Sequence, residues 1–221
     1  MIYLPHRRAA FRNQGDAFTK LLLHLDETDA AFVDSSAAAH AVSNTGVTYS
    51  ASGKFGGAAV FSSGAVNYLS TANHADFNLA AKTKWTVDFQ VNPAGTSGYR
   101  SILSKRSGSN PTSYQFGIDS SSNRVYLFNG PGSYDSTAEI PAEIFTHVAF
   151  TFNNGTLKIW INGALDSTHT GVTLTELDQP VEIGYHFSSV SEQFIGLLDE
   201  LRLSDIVRWT ANFTPPIAAY R

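Results

Sequence analysis

The sequence predicts an all-β fold, a two-sheet antiparallel jelly-roll sandwich that carries an N-terminal arm. Three observations point there. Apolar and polar residues alternate in short runs across most of the 221 residues, the pattern of strands with one buried face. Turn residues interrupt these runs every ~8–12 positions, as in sandwiches and barrels. Helical periodicity is nearly absent. With 43% hydrophobic, 12% aromatic and 15% charged residues, the chain has enough apolar surface for a sizeable core and too little charge for a disordered segment.

Residues 1–20 read as the arm and residues 21–221 as the sandwich domain. Strands are expected at 21–25, 47–50, 58–61 and 67–70. The clearest strand is 85–91. Trp85, Val87, Phe89 and Val91 line one face, and Thr86, Asp88 and Gln90 line the other. Strands at 101–105, 114–118 and 124–128 are separated by loops rich in Ser, Gly and Asn at 94–98, 107–113, 119–123 and 129–133. A hairpin follows, in which His147–Phe152 and Thr156–Asn162 flank Asn153-Asn154-Gly155. Asn-Gly supplies the positive φ angles that a tight hairpin turn needs. A second Asn-Gly, Asn162-Gly163, turns the chain into 164–169. After a strand at 181–184, the last one runs from Phe194 to Ser204. Residues 205–212 are expected to form a single helical turn, stopped by Pro215-Pro216.

Strict alternation in the last strand puts Leu197, Asp199, Leu201 and Leu203 on one face, and Leu198, Glu200 and Arg202 on the other. Asp199 is then a carboxylate buried among leucines. Such a group is costly unless it is paired, hydrogen-bonded or bound to a metal. Two roles follow for it, a calcium ligand or a structural acceptor of hydrogen bonds.

Glycoside hydrolysis needs two positioned carboxylates. Asp199 and Glu200 are adjacent and point to opposite faces, as do Asp26 and Glu27. No alternating acidic run exists, so the sequence predicts no catalytic residue and a chain that is not an enzyme. The histidines, His6, His24, His40, His74, His147, His169 and His186, show no His-x-x-x-His spacing. They read as surface and hairpin residues rather than zinc ligands. Without cysteine there are no disulfides, thiolate metal sites or cysteine nucleophiles.

Sugar sites pair an aromatic platform with a few polar groups. Trp160 faces away from Leu157, Ile159 and Ile161, and Lys158 and Asn162 lie two positions away on its own face. Tyr185 and His186 lie in or beside a loop, as do Tyr99, Tyr114 and Tyr134. The glycan-binding candidates are Trp160, Lys158, Asn162, Tyr185 and His186. The competing reading packs Trp160 beneath a loop or edge strand. Trp209 is expected to plug the base of the sandwich beside Phe213.

The formal net charge is -4. Arg7, Arg8, Arg12 and Lys20 against Asp16 leave the first 20 residues basic, so the body is acidic. That argues against nucleic acid as a partner. No apolar run reaches the ~18 residues of a membrane span, so no membrane insertion is expected. Residues 1–20 carry no apolar stretch of the signal-peptide kind.

Several distinct pieces stand in order over residues 20–216. They are Leu21-Leu-Leu-His-Leu-Asp26, then Asp34-Ser-Ser36, Gly53-Lys-Phe-Gly-Gly-Ala-Ala-Val-Phe61 and the strand from Trp85. His147-Val-Ala149, Leu157 to Gly163 and Gly196 to Ser204 complete the series. In this order and spacing the chain resembles the concanavalin A-like lectin/glucanase superfamily, in its laminin-G-like branch. The ending Arg208-Trp-Thr-Ala-Asn-Phe-Thr-Pro-Pro216 resembles modules carried by tailed-bacteriophage virion proteins. The resemblance implies a calcium site near one sheet edge and glycan or protein ligands on a concave face or rim. Asp199, Asp26 and Asp34 match the family's acidic positions and are the implied calcium ligands. One departure bears on that site. Where the family often has Ser-Gly-Asn-Gly-His, this chain has Ser36-Ala-Ala-Ala-His40.

The arm mixes basic and large apolar residues. Tyr3, Leu4, Arg7, Arg8, Phe11 and Arg12 are the docking candidates, expected to fold onto other virion proteins. The alternative is a free tail. The expected function is a non-enzymatic structural or decoration module of a phage virion, outward-facing, with cell-surface polysaccharide as a ligand. A free-standing lectin is the first alternative, and a glycoside hydrolase or lyase is the second. The expected location is the virion, after synthesis in the host cytoplasm.

Overall fold

The computed structural model describes residues 15–95, 100–107, 112–119, 121–186 and 192–221. The docking candidates Tyr3 to Arg12, and Tyr99, lie outside the described residues. The strands are β1 (Thr19–Leu23), β2 (Val42–Thr45), β3 (Thr48–Phe55), β4 (Gly57–Phe61) and β5 (Tyr68–Thr71). Two 3-10 turns, Ala75–Phe77 and Leu79–Ala81, lead to β6 (Lys84–Pro93). Then come β7 (Arg100–Arg106), β8 (Thr112–Ile118), β9 (Arg124–Phe128), β10 (Ser133–Glu139) and β11 (Thr146–Asn153). The chain ends with β12 (Thr156–Ile161), β13 (Ala164–Thr170), β14 (Val181–Ile183) and β15 (Gly196–Ser204). Among the described residues no helix is long and apolar enough to cross a membrane.

The strands form two antiparallel sheets. The eight-stranded sheet runs β13-β12-β11-β6-β15-β4-β3, with β1 pairing β15 beyond β4. The seven-stranded sheet runs β10-β9-β8-β7-β14-β5-β2. The meander forms as the sequence predicts, from Val148 opposite Ile161 to Asn153 opposite Thr156. Asn154 and Gly155, like Asn162 and Gly163, take the positive φ angles of its two turns. Trp85 packs flat on Phe152 at 5.1 Å and edge-on to Phe116 at 5.7 Å, joining the two sheets through the core. β2 and β10 were not legible as strands. Both are mostly exposed edge strands, so they lack the apolar alternation that betrays a buried face.

The last strand departs from strict alternation. Asp199 pairs Gln90 but Arg202 pairs Asp88, so one extra residue is accommodated on β15. Glu200 takes it up at a φ of 53°, a β-bulge that reverses the facing of the residues after it. Leu198, Leu201 and Leu203 therefore enter the core. Asp199 is buried, but on the opposite face, not among the leucines.

That opposite face is covered by the chain's own C-terminal segment. Asp88 and Arg202 form a bidentate pair there at 3.0 and 2.8 Å. Tyr220 lies against the guanidinium at 4.2 Å, and its backbone N–H donates to Glu200. Glu200 also holds His24 Nδ1 at 2.9 Å. The expected helical turn at 205–212 does not form, because the segment's backbone groups bond the sheet instead. Ile206 C=O accepts from Thr86, Arg208 N–H donates to Thr86, and Phe213 N–H donates to Gly163 C=O. Trp209 stacks on Phe213 at 4.0 Å outside the sandwich rather than plugging its base.

At one end of the sandwich, Asp166 of β13 reaches the edge strand β10. Its carboxylate accepts the N–H groups of Thr137 and Ala138 at 2.6 and 2.9 Å. Ser167 and His169 contact the carbonyl of Asp135 from the same strand.

Burial by itself would raise the pKa of Asp88, but the Arg202 charge, His147 and the paired hydrogen bonds outweigh it and hold the group at about 2. The pair's stabilisation is therefore present above the unfolded value of 3.8 and is lost as the pH falls through the folded one. Roughly 2 kcal/mol of stability should go between about pH 4 and pH 2. Asp88→Asn leaves a buried cation unpaired and should cost about 3–5 kcal/mol at pH 7. Urea unfolding against pH measures both, and an unchanged midpoint in the variant would contradict the assignment.

Candidate functional site

The outer face of the seven-stranded sheet carries a connected polar cluster. Tyr114, Phe116 and Ile118 of β8 and Val125 and Leu127 of β9 enter the core. Alternation therefore turns Gln115, Gly117, Tyr126 and Phe128 outward. Of these, Gln115, Tyr126 and Phe128 line a cleft of about 290 Å3 with Arg106 of β7, Ser133 and Asp135 of β10, and Asp119 and Glu192 from flanking loops. Gly117 faces Tyr126 across the strand pair. A Cβ at Gly117 would come within 2.6 Å of the Tyr126 ring, so the missing side chain is what lets that ring lie across β8.

The cleft is internally connected. Arg106 donates to the side-chain oxygen of Gln115 and lies 5.2 Å over the Phe128 ring. Gln115 Nε2 donates to Tyr126 Oη at 2.9 Å and to Glu192 at 3.2 Å. Glu192 also meets Arg106 at 3.4 Å and His186 Nε2 at 2.9 Å. Burial pushes the Glu192 carboxyl up, but His186, Gln115 and Arg106 together hold it below the usual value. The result is a fixed set of charged and amide groups beside two aromatic rings. Such a surface suits a hydroxyl-rich ligand, whose polar edge needs donors and acceptors and whose apolar face needs a ring.

The sequence-predicted residues divide between the two sheets. His186 joins the cleft network, and Tyr185 stacks on Tyr68 at 5.3 Å while its carbonyl accepts from Ser104. Trp160, Lys158 and Asn162 lie on the other sheet. Trp160 does face away from the core, but it is 0% exposed. Phe213 covers its ring at 5.8 Å, and its Nε1 donates to Thr151 at 2.9 Å. No ring face is left for a sugar, which corrects the expectation for Trp160 and for the Lys158–Trp160–Asn162 grouping. Asn162 is a turn residue whose side chain accepts from His147 N–H. Tyr114 is a core residue with its hydroxyl on Phe77 C=O.

The three aspartates do not assemble into one ligand set. Asp34 accepts from Leu22 and Ser36 N–H through Oδ1, and from Ser36 Oγ and His40 N–H through Oδ2. Both of its oxygens are engaged in pinning the β1–β2 connection. Asp199 accepts from Phe55 N–H at 3.0 Å, which fixes the β3–β4 turn. Asp26 is close enough for its charge to act on Asp199. The residues present thus fit structural acceptor roles at Asp34 and Asp199, and they do not fit a calcium site shared by Asp26, Asp34 and Asp199.

Arg106, Gln115, Tyr126, Phe128 and Glu192 were missed from sequence. The signal was in hand for three of them. Once 114–118 and 124–128 are read as strands, alternation names Gln115, Tyr126 and Phe128 as the outward residues.

The profile of the family described as concanavalin A-like lectin/glucanases superfamily matches residues 63–211, about two thirds of the chain. The chain belongs to that superfamily. No curated protein matches it by sequence. Among solved structures, domain 4 of AbnA, a GH43 extracellular arabinanase from Geobacillus stearothermophilus solved in complex with arabinotriose, is similar at a TM-score of 0.64 and 18% identity. That likeness covers 88% of this chain and 95% of the domain. The binding domain of Paraclostridial Mosquitocidal Protein 1 is similar at 0.70 and 13% identity, covering 86% of this chain and 49% of that one. A botulinum neurotoxin type C structure, described as entering cells through interaction with two ganglioside molecules, is similar at 0.65 and 18% identity, covering 86% and 48%. The chain spans about half the length of these toxin structures. At such identities the likenesses establish the shared fold.

Two predictions follow from the placement of Asp199 and Trp160. Burial raises the Asp199 pKa to about 7, the Phe55 and Lys54 N–H groups oppose the rise, and the charges of Glu200 and Asp26 add to it. The folded state therefore holds this proton more tightly than the unfolded one. Its stabilising contribution is complete below pH 3.8 and disappears as the pH rises through about 7. Asp199→Asn should remove that slope and gain roughly 2–4 kcal/mol relative to wild type at pH 8 compared with pH 4. Parallel pH profiles in the two proteins would refute it. Trp160→Ala should cost about 3–5 kcal/mol in urea unfolding, as core aromatic truncations do.

Proposed function

We propose that this chain is a non-enzymatic glycan-binding module whose ligand lies in the cleft of Arg106, Gln115, Tyr126, Phe128 and Glu192. The observation that carries the reading is the convergence of a guanidinium, an amide, a phenol and a carboxylate beside a ring on one open sheet face. The arabinotriose in the arabinanase domain and the gangliosides of the type C toxin support a sugar as the ligand class. The non-catalytic part rests on charge. A glycosidase needs a carboxylic acid whose raised pKa keeps its proton. Two of the cleft's carboxylates, Glu192 and Asp119, are instead held below their usual values.

The module belongs, on this proposal, to a phage virion and is anchored by its arm. The motivating features are the resemblance of Arg208–Pro216 to virion modules and the position from which the arm leaves. Arg208 grips Asp16 at 3.0 and 2.9 Å and also bonds Ser204. The start of β1 is thereby locked to the C-terminal segment. Arm residues that become protease-resistant only when the chain is part of a particle would support this. Equal cleavage in the free and assembled states would favour a free-standing lectin.

A glycan array with wild type and Phe128→Ala tests the cleft. Removing the ring should weaken binding about tenfold, the scale of one stacking contact, with less effect on melting than Trp160→Ala has. Undiminished binding in Phe128→Ala would place the sugar elsewhere, and turnover of a polysaccharide would overturn the non-enzymatic reading.

A further inference from the structure

Two connections meet beyond the β2–β5 edge of the seven-stranded sheet. Val42 pairs Thr71 at the end of that strand pair. His40 precedes Val42, and His74 and Asp76 follow Thr71, so three ligand-type side chains arrive together. His40 Nε2 lies 3.1 Å from Asp76 Oδ2, and His74 Nδ1 lies 3.1 Å from the same oxygen. The ligand atoms of all three residues fall within 4.8 Å of one another.

We propose that His40, His74 and Asp76 form a binding site for a late first-row transition-metal ion, zinc in the first place. Three features argue for a metal rather than a chance ion pair. The first is spacing. Zinc bonds to nitrogen or oxygen are ~2.0–2.2 Å long, so neighbouring atoms of a tetrahedral site sit about 3.3 Å apart. Two edges of the triangle already lie close to that value. The second is convergence. Both histidine nitrogens reach the same oxygen, Asp76 Oδ2, so the three ligand atoms surround a common point. The third is support. His40 is held from behind, with its N–H on Asp34 Oδ2 and its ring against Phe77 at 4.6 Å. The His74 side chain is 53% exposed, so its ring has room to turn and close the remaining edge.

The ligand chemistry selects the ion. Two imidazoles and one carboxylate suit zinc, cobalt, nickel or copper. Calcium needs six to eight oxygens. Three protein ligands leave one tetrahedral position for water or for a donor atom from outside. The site is separate from the cleft residues and from Asp199, and it is independent of the glycan reading. Its bound ion ties the β1–β2 connection to the segment that follows β5.

The test uses the full chain without an affinity tag. One equivalent of Co2+ should produce visible d–d absorption of a low-coordinate site, which Zn2+ displaces, and Zn2+ should raise the melting temperature in a way that chelator reverses. His74→Ser keeps a side chain suited to the N-cap position but removes the ligand. It should weaken Co2+ binding by on the order of 100-fold or more, since the loss of an outer-shell partner alone costs 10–100-fold, while metal-free melting stays at the wild-type value. Asp76→Asn should weaken Co2+ binding in the same direction. No Co2+ spectrum in wild type, or a spectrum and zinc stabilisation that survive His74→Ser, overturns the site. Stabilisation by Ca2+ that His74→Ser abolishes overturns the choice of ion.

Discussion

The bidentate pair between Asp88 and Arg202 is the constraint around which this sandwich is arranged. It crosses β6 and β15, the two central strands of the larger sheet. A charged pair on the outer face of a central strand pair tolerates burial only if its remaining polar atoms are met and water is displaced by matched groups. The chain supplies that cover itself. Tyr220 lies over the guanidinium, Glu200 receives the Tyr220 N–H, and Trp209 and Phe213 close over His147 and Trp160. The bulge at Glu200 is what makes the register possible, because it returns Leu201 and Leu203 to the core after Asp199 and Arg202 have both been placed outside.

The two sheets are consequently used for different purposes. The outer face of the larger one is covered across its central strands by residues 205–221 and serves stability. The outer face of the smaller one keeps a polar network of Arg106, Gln115, Tyr126 and Glu192 beside an open cleft. Trp160 and Phe128 illustrate the division. Both are aromatic residues that point away from the core, yet Trp160 is wholly covered and Phe128 borders space.

What could be read from sequence follows the range of the forces involved. The strand at 85–91 and the 147–162 meander were legible because alternation and Asn-Gly turns are local signals. The facing of Asp199 was not, since a non-glycine residue at positive φ leaves no mark in the hydrophobic pattern. Nor was the irregular course of 205–212, where bonds to Thr86 and Gly163 outcompete the helical turn. His186, read as a loop residue, meets Glu192 beside the cleft. Arg106 and Glu192 are not legible, because Glu192 reaches Arg106 and Gln115 only across about 80 residues of chain. The His40–His74–Asp76 cluster was invisible for the same reason: only the β2–β5 register brings its halves together.

The contact between β10 and β13 has a consequence for how copies of this domain behave side by side. An edge strand normally presents bare N–H and C=O groups, a template on which another chain can add a strand. Here the Asp166 carboxylate occupies two N–H groups of β10, and Ser167 and His169 occupy a carbonyl. Those groups are already engaged, and an inward-reaching acidic side chain stands where an incoming backbone would have to lie. Along this border the domain resists polymerising by strand addition even when many copies are crowded together.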